Sequence, residues 1–227
     1  MIVYTFIFKD GKQFRFEVDE EGDTSVESPD QPVEEWLKLE NGKCDGCGIP
    51  EGERKTCPAA LSIQPILASF GGRFSHETVK VIVEMNDVEV HGSMSTQNAV
   101  RSLMGLRLAL SACPVMKMLR PMARFHVPFG GMEHSLFRFV GMHLISEHLR
   151  REKGHSSNQD LSGLRELIHR LHEVNQKLAD RIRLGAERDA TVNSLVVLDT
   201  LASILKMDID SSLETLKPYF GMYLDEE

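Results

Sequence analysis

The sequence contains no apolar run of the roughly 20 residues that a helix needs to cross a bilayer. Its first residues, Met1-Ile2-Val3-Tyr4-Thr5-Phe6, lack the basic start and small-residue cleavage site of a secretory signal and alternate like a strand. A basic excess is missing too: the formal charge is -8 over 227 residues. A general nucleic-acid binder is excluded on that ground, because its affinity comes from Lys and Arg neutralising phosphates. No G-x-S-x-G, phosphate-binding loop or G-x-G-x-x-G occurs, so no catalytic motif announces a reaction. Cytoplasmic location is the expectation. Cysteine is scarce, with four in the chain. In a reducing compartment stable disulfides are uncommon, so four cysteines point toward metal or redox chemistry.

Three of the four lie together. Cys44-Asp45-Gly46-Cys47-Gly48 is followed by Cys57-Pro58, and Cys113-Pro114 comes much later. Two residues between Cys44 and Cys47 let both sulfurs reach one ion, and the following glycine permits a tight turn. Four thiolates complete a tetrahedral zinc site; the same set could hold a 4Fe-4S cluster, in whose proteins proline often follows a ligand. Zinc is preferred on the knuckle-like first pair. A thioredoxin-like pair would need a preceding strand and a helix N-terminus at the first thiol, which Lys43 and the glycines do not supply. Cys113 on its own could be a buried apolar residue.

Taken in order, residues 2–8 and 13–18 are predicted as a hairpin turned at Asp10-Gly11, with Val3, Phe6, Phe8, Phe14, Phe16 and Val18 as its apolar faces. Residues 19–35 are acidic and read as a solvated loop, with Pro32 opening a short helix through Trp36 and Leu39. The cysteine loop covers 41–58, and Pro58 starts a helix over 59–70. Residues 78–84 and 87–94 form a second hairpin at Asn86-Asp87. Thr96 is predicted to cap a helix through Ala112, whose stripe Ala99, Leu103, Leu106, Leu110 and Cys113 buries the fourth cysteine. A proline-broken segment, a helix over 133–153 and a polar linker over 154–158 follow. The fold class is therefore α+β: a small antiparallel sheet of two hairpins with a cysteine loop, then a mostly helical C-terminal half. Its expected parts are 1–95, 96–153 and 159–227.

Leu161, Leu164, Ile168, Leu171, Asn175, Leu178 and Ile182 recur at three and four residues, the pattern of a coiled-coil seam. Two readings stand side by side: a helical hairpin with a second helix over 190–206, or a homodimer or protein partner joined through 161–182. Lys117, Arg120, Arg124 and His126 form a basic segment beside Phe125, Pro128 and Phe129. It is either an anion pocket gripping carboxylate or phosphate, or a structural set in which the arginines pair with acids such as Glu133. The chain has nine histidines, but His143 with Glu147 and His148, or His169 with His172, match no metal-protease motif.

Cys44-x-x-Cys47, Thr56-Cys57-Pro58-Ala59-Ala60-Leu61, Ser102-Leu103-Met104-Gly105-Leu106, Ser111-Ala112-Cys113-Pro114 and Arg120-Pro121-Met122-Ala123-Arg124-Phe125-His126-Val127-Pro128-Phe129 together resemble an uncharacterised bacterial family, a domain of unknown function, over about residues 40–150. The resemblance implies that the cysteines and the Arg-Pro-Met-Ala-Arg-Phe-His segment belong to one unit, and it carries no activity. The expected function is a metal-binding interaction or regulatory module with a structural zinc. An iron–sulfur sensor or redox protein is the alternative. A metal-assisted enzyme using Arg120, Arg124 and His126 is a third reading, and would require an open coordination position.

Overall fold

The computed structural model describes residues 1–22, 33–158 and 160–185, positions 193, 199 and 207, and residues 209–211 and 213–224. The expected helix over 190–206 and most of the acidic loop lie outside the described residues.

Strands β1 (Ile2–Phe8), β2 (Gln13–Val18), β3 (Thr78–Met85) and β4 (Val88–Ser95) form an antiparallel sheet in the order β2-β1-β3-β4. Alternation sets its buried face. On β1 that face carries Ile2, Tyr4, Phe6 and Phe8, with Tyr4 opposite Phe16 and Val83, and Phe6 opposite Phe14 and Val81. Tyr4, not Val3, therefore shares the face of Phe6 and Phe8. The polar Asn86-Asp87 pair turns β3 into β4, and Asn86 takes the left-handed backbone that such a turn demands.

Helix α1 (Pro58–Phe70) opens on proline at its first turn, where no N–H is needed. Phe70 at its end packs edge-on to Phe6, ring centroids 4.9 Å apart. Helix α2 (Thr96–Leu110) follows β4 without a linker. Ser95 occupies the cap position rather than Thr96, which is buried and donates its hydroxyl to the Glu77 carbonyl at 2.9 Å. α2 also ends earlier than its apolar stripe predicts. Ser111 turns extended at the helix end and Pro114 disfavours helical backbone at Cys113. Cys113 thus sits in the turn beyond α2 instead of on its stripe.

A short 3-10 turn (Met116–Leu119), helix α3 (Arg120–Arg124) and helix α4 (Met132–Glu152) lead to the 24-residue helix α5 (Ser162–Gly185). The α5 seam is buried within the chain: Leu164, Ile168, Leu171, Asn175, Leu178 and Ile182 all belong to its interior. An amphipathic helix against its own domain and one in a coiled coil show the same three-four spacing, and here the stripe faces the chain's own core. That core is continuous from the sheet through α1, α2, α4 and α5 to Ile209 and Leu216. A 3-10 turn (Lys217–Phe220) and helix α6 (Gly221–Leu224) close the described chain. No helix among the described residues is long and apolar enough to cross a membrane.

Candidate metal centre and the basic segment

The cysteine loop is pinched at its base. The Leu39 N–H donates to the Lys55 carbonyl at 2.8 Å, the Cys57 N–H to the Leu37 carbonyl at 2.8 Å, and Lys38 bridges Thr56 between them. Inside the loop the Cys47 N–H donates to the Cys44 carbonyl at 3.1 Å, which closes the Cys-x-x-Cys turn. Cys57 is the cap residue of α1, and its thiol makes no capping hydrogen bond. In the turn after α2, the Val115 and Met116 N–H groups face the Cys113 sulfur and favour its thiolate, though burial wins and the thiol's pKa is raised.

All four cysteines line one cavity of about 20 Å³. Cys113 is 8% exposed and the other three are half-buried, and all are free thiols. Burial pushes the Cys44 thiol up to about 12, with further contributions from the Glu173 carboxylate and from Cys57, Cys113 and Cys47. Each thiolate thus opposes the ionisation of the next, and a cation between them would reverse that balance. Among the described residues no group of three or more His, Cys, Asp or Glu side chains is placed to hold a metal ion. The four cysteines share the wall of this cavity. The donor chemistry fits zinc, and the volume, little more than the roughly 10–15 Å³ that one water needs, suits one ion better than a four-iron cluster.

Three side chains that the sequence reading passed over shape this site. Lys43 lines the cavity and donates to the Ile49 carbonyl at 3.0 Å. Glu173 on α5 accepts the Asp45 N–H at 2.5 Å. Arg181, also on α5, is 2% exposed and lines the cavity, and its guanidinium donates to the carbonyls of Trp36 (3.1 Å), Leu39 (2.8 Å) and Lys38. Gly42 has a φ of +104°, and a Cβ there would lie 3.6 Å from Arg181 Nε. Glu173 and Arg181 fall eight residues apart on a helix with many charged positions, and nothing local distinguishes them. Gly42 beside the loop was the one available signal.

The basic segment does not converge. Lys117, Arg120 and Arg124 are exposed. Arg124 pairs with Glu20 at 3.0 Å, while Glu133 accepts the Tyr219 hydroxyl instead. Since exposed pairs contribute little, Arg124→Ala is expected to cost under about 1 kcal/mol and to leave the melting temperature within about 4 °C of wild type.

His126 alone of the four turns inward, lining a second and larger cavity. Tyr4 Oη lies 2.5 Å from His126 Nε2 and 2.8 Å from Ser102 Oγ, which accepts the Phe129 N–H at 3.3 Å. The order that satisfies every group runs from Phe129 N–H to Ser102, from Ser102 to Tyr4, and from Tyr4 to a neutral imidazole. Burial, helped by the Arg138 charge, pushes the His126 pKa down to about 4. Because the unfolded chain binds this proton near pH 6.5, folding loses stability as pH falls from about 6.5 toward 4, by up to about 3 kcal/mol. Denaturant titrations across that window should show the slope and His126→Gln should flatten it. An imidazole NMR titration midpoint above 6 for His126 would contradict the burial.

No curated protein and no solved structure matches the chain. The family described as Domain of unknown function (DUF6901) matches residues 2–221, so it takes in the sheet, the cysteine loop and the helices alike, and the protein belongs to that family.

Proposed function

We propose that the protein is a metal-binding module in which Cys44, Cys47, Cys57 and Cys113 hold one structural zinc ion. The observation that carries this reading is that all four cysteines, from three separate segments, line one small cavity. Charge supports it as well. Four thiolates around a dication leave two negative charges, and the cavity wall carries two cations, Lys43 and Arg181, against one nearby carboxylate, Glu173. When bound, zinc would keep the thiols deprotonated and cross-link the loop, the start of α1 and the turn after α2. With four sulfur ligands no position remains for a substrate, so the metal serves the fold and the module acts through its surface, as an interaction or regulatory element. Lys117, Arg120 and Arg124 are exposed and do not line the cavity that His126 enters, so this reading assigns them no part in a reaction.

The test is metal analysis of protein purified without oxygen, together with its visible spectrum. A colourless protein with one zinc per chain is expected. Brown protein carrying iron and sulfide overturns zinc in favour of a cluster. Metal-free protein whose Cys44→Ser variant melts unchanged overturns the metal altogether.

A further inference from the structure

The cavity that His126 lines has a volume of about 150 Å³ and lies between α2, the 116–130 segment, α4 and α5. Its wall is mostly apolar, Leu, Met, Phe, Ala, Val and Ile, and it includes two arginines and no aspartate or glutamate. Arg101 makes no hydrogen bond or ion pair among the described residues. Arg138 gives one terminal nitrogen to the carbonyls of Met122 and Phe125 and pairs with no carboxylate among them. Asn175 on α5 is 6% exposed, lines the cavity, and has no hydrogen-bond partner among the described residues.

This arrangement is costly when left alone. A half-buried guanidinium without a counter-charge gives up part of its hydration, which two carbonyls replace only in part for Arg138, and desolvation lowers the pKa of both Arg101 and Arg138. Asn175 sits where a leucine would continue the α5 stripe, and the amide has donors and an acceptor to offer. His126 is committed to Tyr4 and is neutral near pH 7, so it adds no charge. What would repair all three groups is an anion with a hydrogen-bonding head and an apolar body. A cavity of this volume accommodates a ring the size of benzene.

We infer that this cavity binds a small carboxylic acid as its anion, with an apolar body of about six to eight carbons, the carboxylate facing Arg101 and Arg138 and drawing on the Asn175 amide. A guanidinium matches a carboxylate with two parallel N–H bonds. Inorganic phosphate would leave oxygens against aliphatic walls that cannot solvate it. The inference is independent of the cysteine site.

Isothermal titration of the full chain, as purified, with octanoate, benzoate, 1-octanol, benzyl alcohol and inorganic phosphate tests it. Saturable binding of octanoate or benzoate is expected, at least ten-fold tighter than that of the matching alcohol. Arg101→Gln should remove that ten-fold preference while leaving alcohol binding unchanged. Asn175→Asp, nearly isosteric, places a carboxylate inside the cavity; it should raise the melting temperature and abolish acid binding. Acids and alcohols binding equally would reduce the site to an apolar void and overturn the inference. So would phosphate matching the acids, no saturable binding at all, or an Asn175→Asp protein that binds octanoate as wild type does.

Discussion

Cys113→Ser is expected to lose the bound metal and to lower the melting temperature by on the order of 10 °C or more. The substitution changes one atom in a side chain that is 8% exposed, so it leaves packing nearly intact and removes one soft ligand. In a structural zinc site binding free energy is folding free energy, about 10–16 kcal/mol in zinc-finger peptides. Loss of even a third of that, at roughly 2–4 °C per kcal/mol for a chain of this size, gives the stated shift. Chelator added to wild type should reproduce the variant's melting curve, and chelator added to the variant should do nothing further. A Cys113→Ser protein that keeps its metal and melts within about 2 °C of wild type would remove Cys113 from the site and return it to the role of a buried apolar residue.

The second large effect is expected at Arg181. Its guanidinium holds the carbonyls of Trp36, Lys38 and Leu39, the strand of chain that leads into the cysteine loop. Bonds to a charged donor contribute about 1.5–3 kcal/mol each and are not additive. Arg181→Met fills the space but takes the side-chain donor from all three carbonyls, and among the described residues only that of Lys38 keeps another, the Asn41 N–H; the expected loss is about 3–5 kcal/mol, a fall of about 10 °C in melting temperature. Metal affinity should fall as well, because the loop base then loses its guanidinium tie to α5. Arg181→Lys should rescue little, since one ammonium cannot span three carbonyls as a planar fork does. Thermal melts of both variants, with and without chelator, check this; a shift under about 3 °C for Arg181→Met would show that the loop closes without α5.

Much of the fold was legible because its signals are local. Asp10-Gly11 and Asn86-Asp87 mark two hairpins by turn chemistry alone, and Pro58 marks the start of α1 within one residue. The family match extends that legibility to the whole chain, where the motifs covered only the middle. Readings failed where an answer depended on distant residues. The stripe through Cys113 continued past the point where Ser111 and Pro114 end the helix, because apolar spacing carries no stop signal of its own. The α5 seam satisfied coiled-coil spacing equally well and turned out to face the chain's interior. Asn175, the polar member of that seam, lines a cavity. Among the cations, those clustered in sequence, Lys117, Arg120 and Arg124, are exposed, with Arg124 paired to Glu20. The ones that matter to the two cavities, Arg101, Arg138 and Arg181, are scattered along three helices and stand out only by burial and by what they lack or hold.

The central claim is that one ion draws sulfur from both the loop and the turn after α2. X-ray absorption at the zinc edge of the purified protein, compared with Cys113→Ser, tests this most directly. The expected spectrum is a single shell of four sulfur scatterers at about 2.3 Å, falling to three with one lighter neighbour in the variant. A wild-type shell of nitrogen or oxygen, or one that Cys113→Ser leaves unaltered, would contradict it.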